Sequence, residues 1–371
     1  MTQRDLGLSL PGFPWDSLAP HAATARRHPS GLVDLSVGSP VDTTPELVRA
    51  AIRDASDAHA YPLTAGSTAL RDAIAAWYAR RRGVTGLGRE HVLPSIGSKE
   101  LIAWTPLMLG LGPGDVVVQP SLAYPTYAIA AALARAESVA EDDPDAWPDN
   151  ARLIWLNSPG NPDGRVLDAG LLAAAVSRAR ELGAVIANDE CYAELNWAGD
   201  EPTACILAPE VTGGDLTGVL SVYSLSKQSN LAGYRAGFAA GDPAIVAALL
   251  AVRKHAGLLP PAPVQAAMAV ALGDDEHVAA QRVVYRSRRE RLAAALTRAG
   301  FRIDESTAGL YLWATRGQEA WATVAALAEL GILVAPGTFY GDAGAGHVRV
   351  ALTASDAAID EAVERLAHLG L

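Results

Sequence analysis

The sequence predicts an α/β fold with a large domain on a mainly parallel sheet, followed by a smaller α+β domain. Short apolar runs alternate with helical patterns from about residue 92 to 240, which is typical of a sheet between layers of helices. A longer helical stretch from about 273 to 299 then precedes four further short strands. We therefore expect an N-terminal arm over residues 1–30, a large domain over 31–272 and a small domain over 273–371.

Composition describes an ordinary globular protein and counts against two classes of partner. The 371 residues are 50% hydrophobic and 19% charged, with a formal net charge of −11. Nucleic acid and anionic membranes are bound by basic patches, so neither is expected as the main partner. Two cysteines, Cys191 and Cys205, cannot form a metal site alone and suit core packing in a reducing compartment. With no signal-like N-terminus and no apolar run long enough to span a membrane, a cytoplasmic location is expected.

The first elements are an arm, a short strand and two helices. Residues 1–30 contain several prolines and few periodic apolar residues, which indicates an extended arm that packs on another surface. Gly31 to Gly38 alternates like a strand and stops at a Ser-Pro step, where the backbone can approach a ligand closely. A Thr-Pro pair at 44 and 45 opens a helix, and Thr68 to Arg81 has the periodicity of another.

A predicted anion site follows the next strand. The run from His91 ends at Gly97, and a helix is expected from Leu101 to Leu109. Free backbone N–H groups and the positive end of the helix dipole face the turn between them. The expected donors are Gly97, Ser98 and the amide of Lys99.

The later strands of the large domain also end in polar or aromatic residues. Tyr124 follows the strand expected at 115–119, and a turn rich in Asn, Pro and Gly follows the strand at 152–156. Asp189 lies at the end of the apolar run 183–187. A carboxylate at the mouth of a buried strand needs hydrogen bonds or a cationic partner. Parallel strands bring such ends together, so these residues are expected around one ligand.

The strongest single indication of chemistry is a lysine. Of thirty basic side chains only three are lysines, and Lys227 follows the buried strand expected at 218–223 and precedes a glycine-rich turn. Ser224, Ser226 and Arg235 supply two hydroxyls and a guanidinium in the same segment, as a phosphate monoester requires. A lysine beside a phosphate site suggests pyridoxal phosphate (PLP), whose aldehyde condenses with an amine.

The small domain contains one isolated charge on an apolar strand. A helix is expected from Asp242 to His255, and short strands are expected at 301–304, 310–313, 331–334 and 347–352. Arg349 has apolar neighbours on both sides in the last of these, so it is expected to face a charged group.

Several of these motifs resemble those of one family. Ser-x-Ser-Lys followed by Gly-x-Arg-x-Gly, within residues 224–237, resembles the lysine motif of the class I/II aminotransferases, PLP enzymes of fold type I. Residues 157–164 resemble that family's Asn-Pro-x-Asn-Pro-x-Gly turn, and the matches run in the family's order from Gly38 to Arg349. The resemblance implies a fold type I PLP-transferase with a mainly parallel, seven-stranded type of sheet.

The resemblance also implies a role for each candidate residue. Lys227 would hold the cofactor and move the substrate's proton, Asp189 would pair with the ring nitrogen, and Tyr124 would stack on the ring. The 3′ oxygen of the ring would be bound by Asn161 and Tyr192. The phosphate would be held by Gly97, Ser98, Lys99, Ser224, Ser226 and Arg235, with Tyr61 reaching it from the neighbouring subunit of a homodimer.

Substrate would lie between Gly38, Asn161 and Arg349, whose guanidinium would bind the α-carboxylate. A finer resemblance concerns residues 13–18, 33–40 and 97–104, which look like those of the actinobacterial N-succinyldiaminopimelate aminotransferases of lysine biosynthesis. It implies glutamate as donor and, as acceptor, N-succinyl-2-amino-6-oxopimelate, a keto acid with a distal carboxylate for which Lys99 is the candidate cation. The reaction would be ping-pong.

Other functions share most of these residues. An aspartate, alanine or branched-chain type of aminotransferase would use the same set, and so would a PLP-dependent β-eliminating lyase, which would release pyruvate without a keto acceptor. A PLP-binding sensor is disfavoured because residues 1–30 are too short and proline-rich for a DNA-binding module. A nicotinamide-binding enzyme is disfavoured because no predicted strand is followed by Gly-x-Gly-x-x-Gly.

Overall fold

The computed structural model describes residues 10–369. Within them the strands, in chain order, are β1 (Val33–Asp34), β2 (Val92–Ile96), β3 (Val116–Gln119), β4 (Glu137–Ala140), β5 (Ala151–Asn157), β6 (Val185–Asp189), β7 (Val219–Ser224), β8 (Ala236–Gly241), β9 (Arg302–Asp304), β10 (Tyr311–Thr315), β11 (Ile332–Leu333), β12 (Ala335–Pro336) and β13 (Val348–Ala351).

The helices of the same residues cover both faces of the large sheet and the outside of the C-terminal part. They are α1 (Ala19–Ala25), α2 (Glu46–Asp54), α3 (Thr68–Arg81), α4 (Ser98–Met108), α5 (Thr126–Ala134), α6 (Ala169–Leu182), α7 (Pro209–Thr212), α8 (Leu225–Gln228), α9 (Pro243–Ala256), α10 (Ala262–Leu272), α11 (Glu276–Arg298), α12 (Ala320–Glu329) and α13 (Asp356–Leu366). None of these helices is both long enough and apolar enough to cross a membrane.

The large sheet has seven strands in the order β2-β8-β7-β6-β5-β3-β4. β8 runs antiparallel to both of its neighbours, and the other pairs are parallel. The predicted α/β class with a mainly parallel sheet is confirmed. Because β3, β5, β6 and β7 run in one direction, their carboxyl ends share one edge, and Asp189 and Ser224 are the last residues of β6 and β7.

Apolar side chains pack on both faces of this sheet. Along β5, Ile154 belongs to one core cluster while Leu153 and Trp155 belong to another, as expected for a strand buried on both sides. The first cluster also contains the mutually packed rings of Trp77, Tyr223 and Phe238. These cores hold the sheet edge that carries the candidate site.

Helix α4 begins three residues earlier than predicted, at Ser98 rather than Leu101. The reason is Gly97, whose φ of 76° and ψ of 160° end β2 and turn the chain directly into the helix. A side chain at that positive φ would be strained, so glycine permits the abrupt start. The first amides of α4 are consequently placed at the sheet edge.

A third core lies in the C-terminal part of the chain and includes part of the N-terminal arm. It is built around the sheet β12-β13-β10-β9 and the parallel pair of β1 with β11. Leu18, Val33 and Leu35 pack within it and therefore lie with the C-terminal core.

The prediction of an extended arm is wrong for Pro14–Ala25. A 3-10 helix spans Pro14–Leu18 and continues directly into α1. Both Pro14 and Pro20 lie in the first turn of a helical segment, where a missing N–H costs nothing. Proline content alone therefore indicated the wrong conformation, because the position of each proline matters more than the number.

Candidate active site

The carboxyl edge of the sheet opens into a cavity of about 410 Å³ between the large sheet and the C-terminal core. Most residues singled out from the sequence line it, although they come from distant parts of the chain. These are Gly38, Ser98, Lys99, Tyr124, Asn161, Asp189, Tyr192, Ser224, Ser226, Lys227, Arg235 and Arg349. Gly97 lies just behind this wall, against Arg235, whereas Tyr61 does not line the cavity.

Lys227 lies in the short helix α8, directly after β7, and is partly buried. Its ammonium group donates to the carbonyl oxygen of Gly38. Desolvation lowers the pKa of Lys227, and together with the Arg349 and Arg235 guanidinium groups it outweighs the opposite influence of Tyr311 and Cys191. A lowered pKa favours the neutral amine, which is the form that can act as nucleophile or accept a proton.

An anion cradle surrounds the start of α4. The backbone N–H groups of Ser98 and Lys99 lie in the first turn of α4, where a helix offers them no internal partner. The Arg235 side chain lies so close to Gly97 that a Cβ there would collide with its guanidinium. Ser224 Oγ and Ser226 Oγ are 2.8 Å apart on the neighbouring turn. These amides, hydroxyls and the guanidinium form the donor set that a phosphate group requires, so the residues present fit the phosphate of PLP.

A buried ion pair supports the start of α4 next to this cradle. It was not predicted from the sequence. Glu100 accepts from the Ile96 amide at 3.1 Å and pairs with Arg253 at 2.8 Å. The Arg253 side chain is fully buried. A glutamate at the third position of a helix was the available signal, but its partner is 153 residues away.

Asp189 presents a buried carboxylate to the cavity. It accepts from the Tyr127 hydroxyl at 3.1 Å and from the Cys191 amide at 3.1 Å. Burial raises the pKa of Asp189, and no basic side chain of residues 10–369 forms an ion pair with it. A protonated ring nitrogen would supply the missing cation, so this carboxylate also fits the cofactor. Tyr127 is buried in α5, and its hydroxyl orients Asp189.

Arg349 lies on β13 and is 2% exposed. Its Nη1 donates to Asn161 Oδ1 at 2.8 Å and its Nη2 to the Ser36 carbonyl at 2.7 Å. The buried Nε has no partner in the described chain. A guanidinium with a spare buried donor is suited to an incoming carboxylate.

The mouth of the cavity is aromatic and carries one cation. Lys99 donates to the Tyr124 hydroxyl at 3.2 Å, and its amine lies 5.6 Å from the ring centre of Phe13. Trp15 packs its ring edge toward Tyr124 at 6.3 Å. The arm residues Phe13 and Trp15 thus form one wall, and Phe13 is 54% exposed.

Tyr61 and Tyr311 fall outside the expected arrangement in opposite ways. Tyr61 is fully exposed in the loop between α2 and α3. Tyr311 was predicted only as part of a strand, yet its hydroxyl lies 3.2 Å from that of Tyr192 and its ring lies 3.9 Å below Arg349. A tyrosine in an otherwise apolar strand was the only available signal, since its neighbours come from other parts of the chain.

Comparison with known proteins gives the family of this chain. The sequence model of the protein family aminotransferase class I and II matches residues 30–366 of this chain. The chain is 54% identical to the 4-dedimethylamino-4-oxo-anhydrotetracycline transaminase OxyQ of Streptomyces rimosus, covering 96% of this chain and 99% of that protein. It is 55% identical to the probable aminotransferase Rv1178 of Mycobacterium tuberculosis, covering 96% of this chain and 85% of that protein.

Among solved structures, the chain is similar to the N-succinyldiaminopimelate aminotransferase of Mycobacterium tuberculosis. The TM-score is 0.85 at 30% identity, covering 97% of this chain and 100% of that one. The chain belongs to the class I and II aminotransferases, which use PLP, and the predictions of family, enzyme class and cofactor are confirmed. OxyQ is a transaminase and Rv1178 a probable aminotransferase, which counts against the β-eliminating lyase.

Proposed function

We propose that this aminotransferase passes the amino group of glutamate to a keto acid that carries a second carboxylate at its far end. The observation that carries the proposal is the pair of cations at the two ends of one cavity, Arg349 at its base and Lys99 at its mouth. N-succinyl-2-amino-6-oxopimelate has carboxylates at both ends and is the first candidate acceptor. The likeness to the mycobacterial N-succinyldiaminopimelate aminotransferase supports this choice.

Each site residue has a task in the proposed reaction. When bound, PLP supplies an electron sink for the bond that breaks at the substrate's α-carbon. Lys227 would hold the cofactor, and its Nζ, as a neutral amine, would take the proton from the substrate's α-carbon and give it back later in the transfer. Asp189 would keep the ring nitrogen protonated, while Asn161 and Tyr192 would hydrogen-bond the 3′ oxygen.

Substrate orientation is assigned to the other residues of the cavity. Arg349 binds the α-carboxylate, using the Nε that has no partner within residues 10–369. Tyr124 packs against the ring. Gly38 would lie beside the substrate, and a side chain at this position would collide with Tyr311. The phosphate is held by Gly97, Ser98, Lys99, Ser224, Ser226 and Arg235.

Steady-state kinetics with a lysine variant test the acceptor. Lys99→Met should lower kcat/KM for the succinylated keto acid by about tenfold, equivalent to about 1.4 kcal/mol, and should change kcat/KM for pyruvate far less. Lys254→Met, on α9 outside the cavity, is the matched control. A wild-type enzyme that prefers pyruvate, oxaloacetate or a branched-chain keto acid over the succinylated one by tenfold would overturn this choice of acceptor.

A second candidate acceptor is a bulky ring ketone. A further cavity of about 680 Å³ adjoins the first and shares Phe13, Trp15, Lys99 and Tyr124 with it, and most of its other lining side chains are apolar. The Streptomyces relative at 54% identity is named for a tetracycline-type substrate. Turnover of a fused-ring ketone with glutamate, lost in Ala103→Phe, which narrows the second cavity, would favour this candidate. If the variant still turned over the succinylated keto acid, the two candidate acceptors would be shown to use different parts of the site.

We also propose a homodimer in which Tyr61 reaches the phosphate site of the partner subunit. Tyr61 is fully exposed, and Leu63 in the same loop is 64% exposed, so this surface is unusually apolar in the isolated chain. Mixing Tyr61→Phe with Lys227→Ala protein should produce dimers that contain one intact site and regain part of the activity. A fully active monomer in sedimentation would refute the proposal.

A cytoplasmic location also remains a proposal. Both cysteines are buried and free, with Cys205 in a core cluster and Cys191 on the cavity wall. Free thiols suit a reducing compartment. Fractionation of cells that produce the protein at its native level would test this location.

A further inference from the structure

One polar side chain on the wall of the cavity has no task in the proposed reaction. Asn157 is the last residue of β5, lines the cavity and is half-buried. It opens the turn over residues 157–164, and the family resemblance implies no role for it. Buried polar atoms are normally hydrogen-bonded, so the partners of this carboxamide indicate what the side chain does.

The carboxamide of Asn157 bonds to two segments of the cofactor end. Its Nδ2 donates to the main-chain carbonyl of Asp189 at 2.9 Å and to that of Pro159 at 3.1 Å. Its Oδ1 accepts from the main-chain N–H of Asn161 at 2.8 Å. Asn157 also lies opposite Asp189 in the pairing of β5 with β6. One side chain therefore joins the end of β6 to the turn that carries Asn161.

The side chain of Asn161 is fixed separately, from the C-terminal core. Arg349 on β13 donates to Asn161 Oδ1 at 2.8 Å, and Asn161 is 6% exposed. An amide oxygen accepts hydrogen bonds and an amide nitrogen donates them, so Nδ2 of Asn161 is the atom available to donate to a ligand oxygen. Asn157 thus holds the main chain of Asn161, while Arg349 orients its amide.

The shape of the cofactor makes the spacing between Asp189 and Asn161 important. The nitrogen and the 3′ oxygen of PLP belong to one rigid ring, so the groups that bind them must be held at a fixed separation. Asp189 ends a strand and Asn161 lies in a turn that follows another strand. A small displacement of a binding group weakens its hydrogen bond, because such bonds depend steeply on distance and angle.

We propose that Asn157 is a positioning residue that fixes the turn of Asn161 relative to Asp189, and so holds the Asn161 amide where it donates to the 3′ oxygen. The inference rests on the proposed roles of Asp189 and Asn161. A hydrogen bond donated to the 3′ oxygen favours the deprotonated form of the bound cofactor. Loss of the Asn157 side chain should therefore raise the pH at which the bound cofactor loses its proton.

An absorbance titration of the resting, full-length protein loaded with PLP measures this transition, because lysine-bound PLP changes its absorbance as it loses the proton. Asn157→Ala should move the midpoint upward by about one pH unit, equivalent to a tenfold change in the proton equilibrium. Asn150→Ala is the matched control. Asn150 precedes β5 at the strand's other end, where its side chain donates to the Gly114 carbonyl at 3.0 Å. Its loss removes a side-chain hydrogen bond outside the cavity and should leave the midpoint unchanged.

A double variant separates a positioning role from a general loss of stability. Asn161→Ala removes the proposed donor itself and should raise the midpoint at least as far as Asn157→Ala does. If Asn157 acts through Asn161, adding Asn157→Ala to Asn161→Ala should move the midpoint little further, whereas independent effects would add. If Asn157→Ala does not fold, Asn157→Ser is the second variant. Its single polar atom cannot keep all three hydrogen bonds, so the midpoint should still rise.

The possible outcomes are distinct. An unchanged midpoint in a folded Asn157 variant overturns the inference and leaves the proposed function standing. Additive shifts in the double variant also overturn it, as does a shift in Asn150→Ala as large as that in Asn157→Ala. An unchanged midpoint in Asn161→Ala overturns the proposed role of Asn161 at the 3′ oxygen, and the inference with it.

Discussion

The two ends of the candidate site are built in different ways. At the phosphate end, Gly97 and the first turn of α4 lie against the buried pair of Glu100 and Arg253, and backbone amides of the helix start contribute to the proposed cradle. At the mouth, the cavity wall consists of exposed or half-buried side chains such as Phe13, Trp15 and Lys99. This difference explains why the family can be identified from the sequence and the substrate cannot. A side chain added at Gly97 would collide with Arg235, whereas an exposed side chain such as Phe13 can be replaced without crowding a neighbour.

The largest expected effect comes from Lys227, which lies at the junction of the two ends. Lys227→Ala should abolish turnover and leave the fold, because it removes an amine rather than core volume. Borohydride reduction of the wild type followed by peptide mapping should place the cofactor on Lys227. Labelling of Lys99 or Lys254 instead would refute the assignment.

The next test perturbs the backbone at Gly97, in the phosphate end of the site. Gly97→Ala puts a Cβ at a φ of 76° and against the Arg235 guanidinium, so we expect PLP affinity to fall by about tenfold to a hundredfold, or about 1.4 to 3 kcal/mol. The matched control is Gly83→Ala, where φ is 67° but nothing lies within 4 Å of the added Cβ. It should cost about 1 kcal/mol in stability without changing PLP affinity. Retention of bound cofactor on dialysis measures the difference, and equal losses in both variants would contradict the cradle.

The support below the cradle can be broken without touching the ligand. Glu100→Gln leaves the fully buried Arg253 without its anion, so we expect a loss of about 3–5 kcal/mol in the free energy of unfolding. Glu46→Gln, which breaks the exposed pair with Arg53, should leave the unfolding curve unchanged. Denaturant titration of both variants makes the comparison. A small effect at Glu100 would mean that the turn holds its shape without the pair.

The smallest expected effect lies at the mouth. Phe13→Ala removes an exposed ring beside Lys99, and we expect kcat/KM for the long acceptor to fall by about threefold to tenfold, at most about 1.4 kcal/mol. PLP affinity and the glutamate half-reaction should not change. A loss of PLP affinity in this variant would erase the distinction between the two ends.

The parts of the site that were predictable from the sequence are those encoded within a few residues. Buried strands followed by a characteristic turn indicated where Gly97, Asp189 and Lys227 lie, because strand ends of a parallel sheet converge whatever the surrounding sequence. The contacts of Arg349 with Asn161 and Ser36 join residues 188 and 313 positions apart, and no local pattern encodes such a distance. Tyr311 was missed for this reason.

Prolines caused the clearest error, because the same residue favours an extended chain or the first turn of a helix according to context. In the arm, the packing of Leu18 into the C-terminal core favours the helix over the extended chain. Hydrophobic contacts that close over hundreds of residues cannot be read from the local composition of a segment.

The packing of the arm has a consequence for how substrate length is measured. Phe13 and Trp15 continue into a helix that packs on the C-terminal core, and Arg349 lies on a strand of that core, whereas Lys99 lies on the large sheet's helix α4. The two cations thus lie on different cores, so the distance between them depends on the angle between those cores. A change in that angle changes the spacing between the cations and shifts one aromatic wall at the same time. We therefore expect the enzyme to select its acceptor by length as well as by charge.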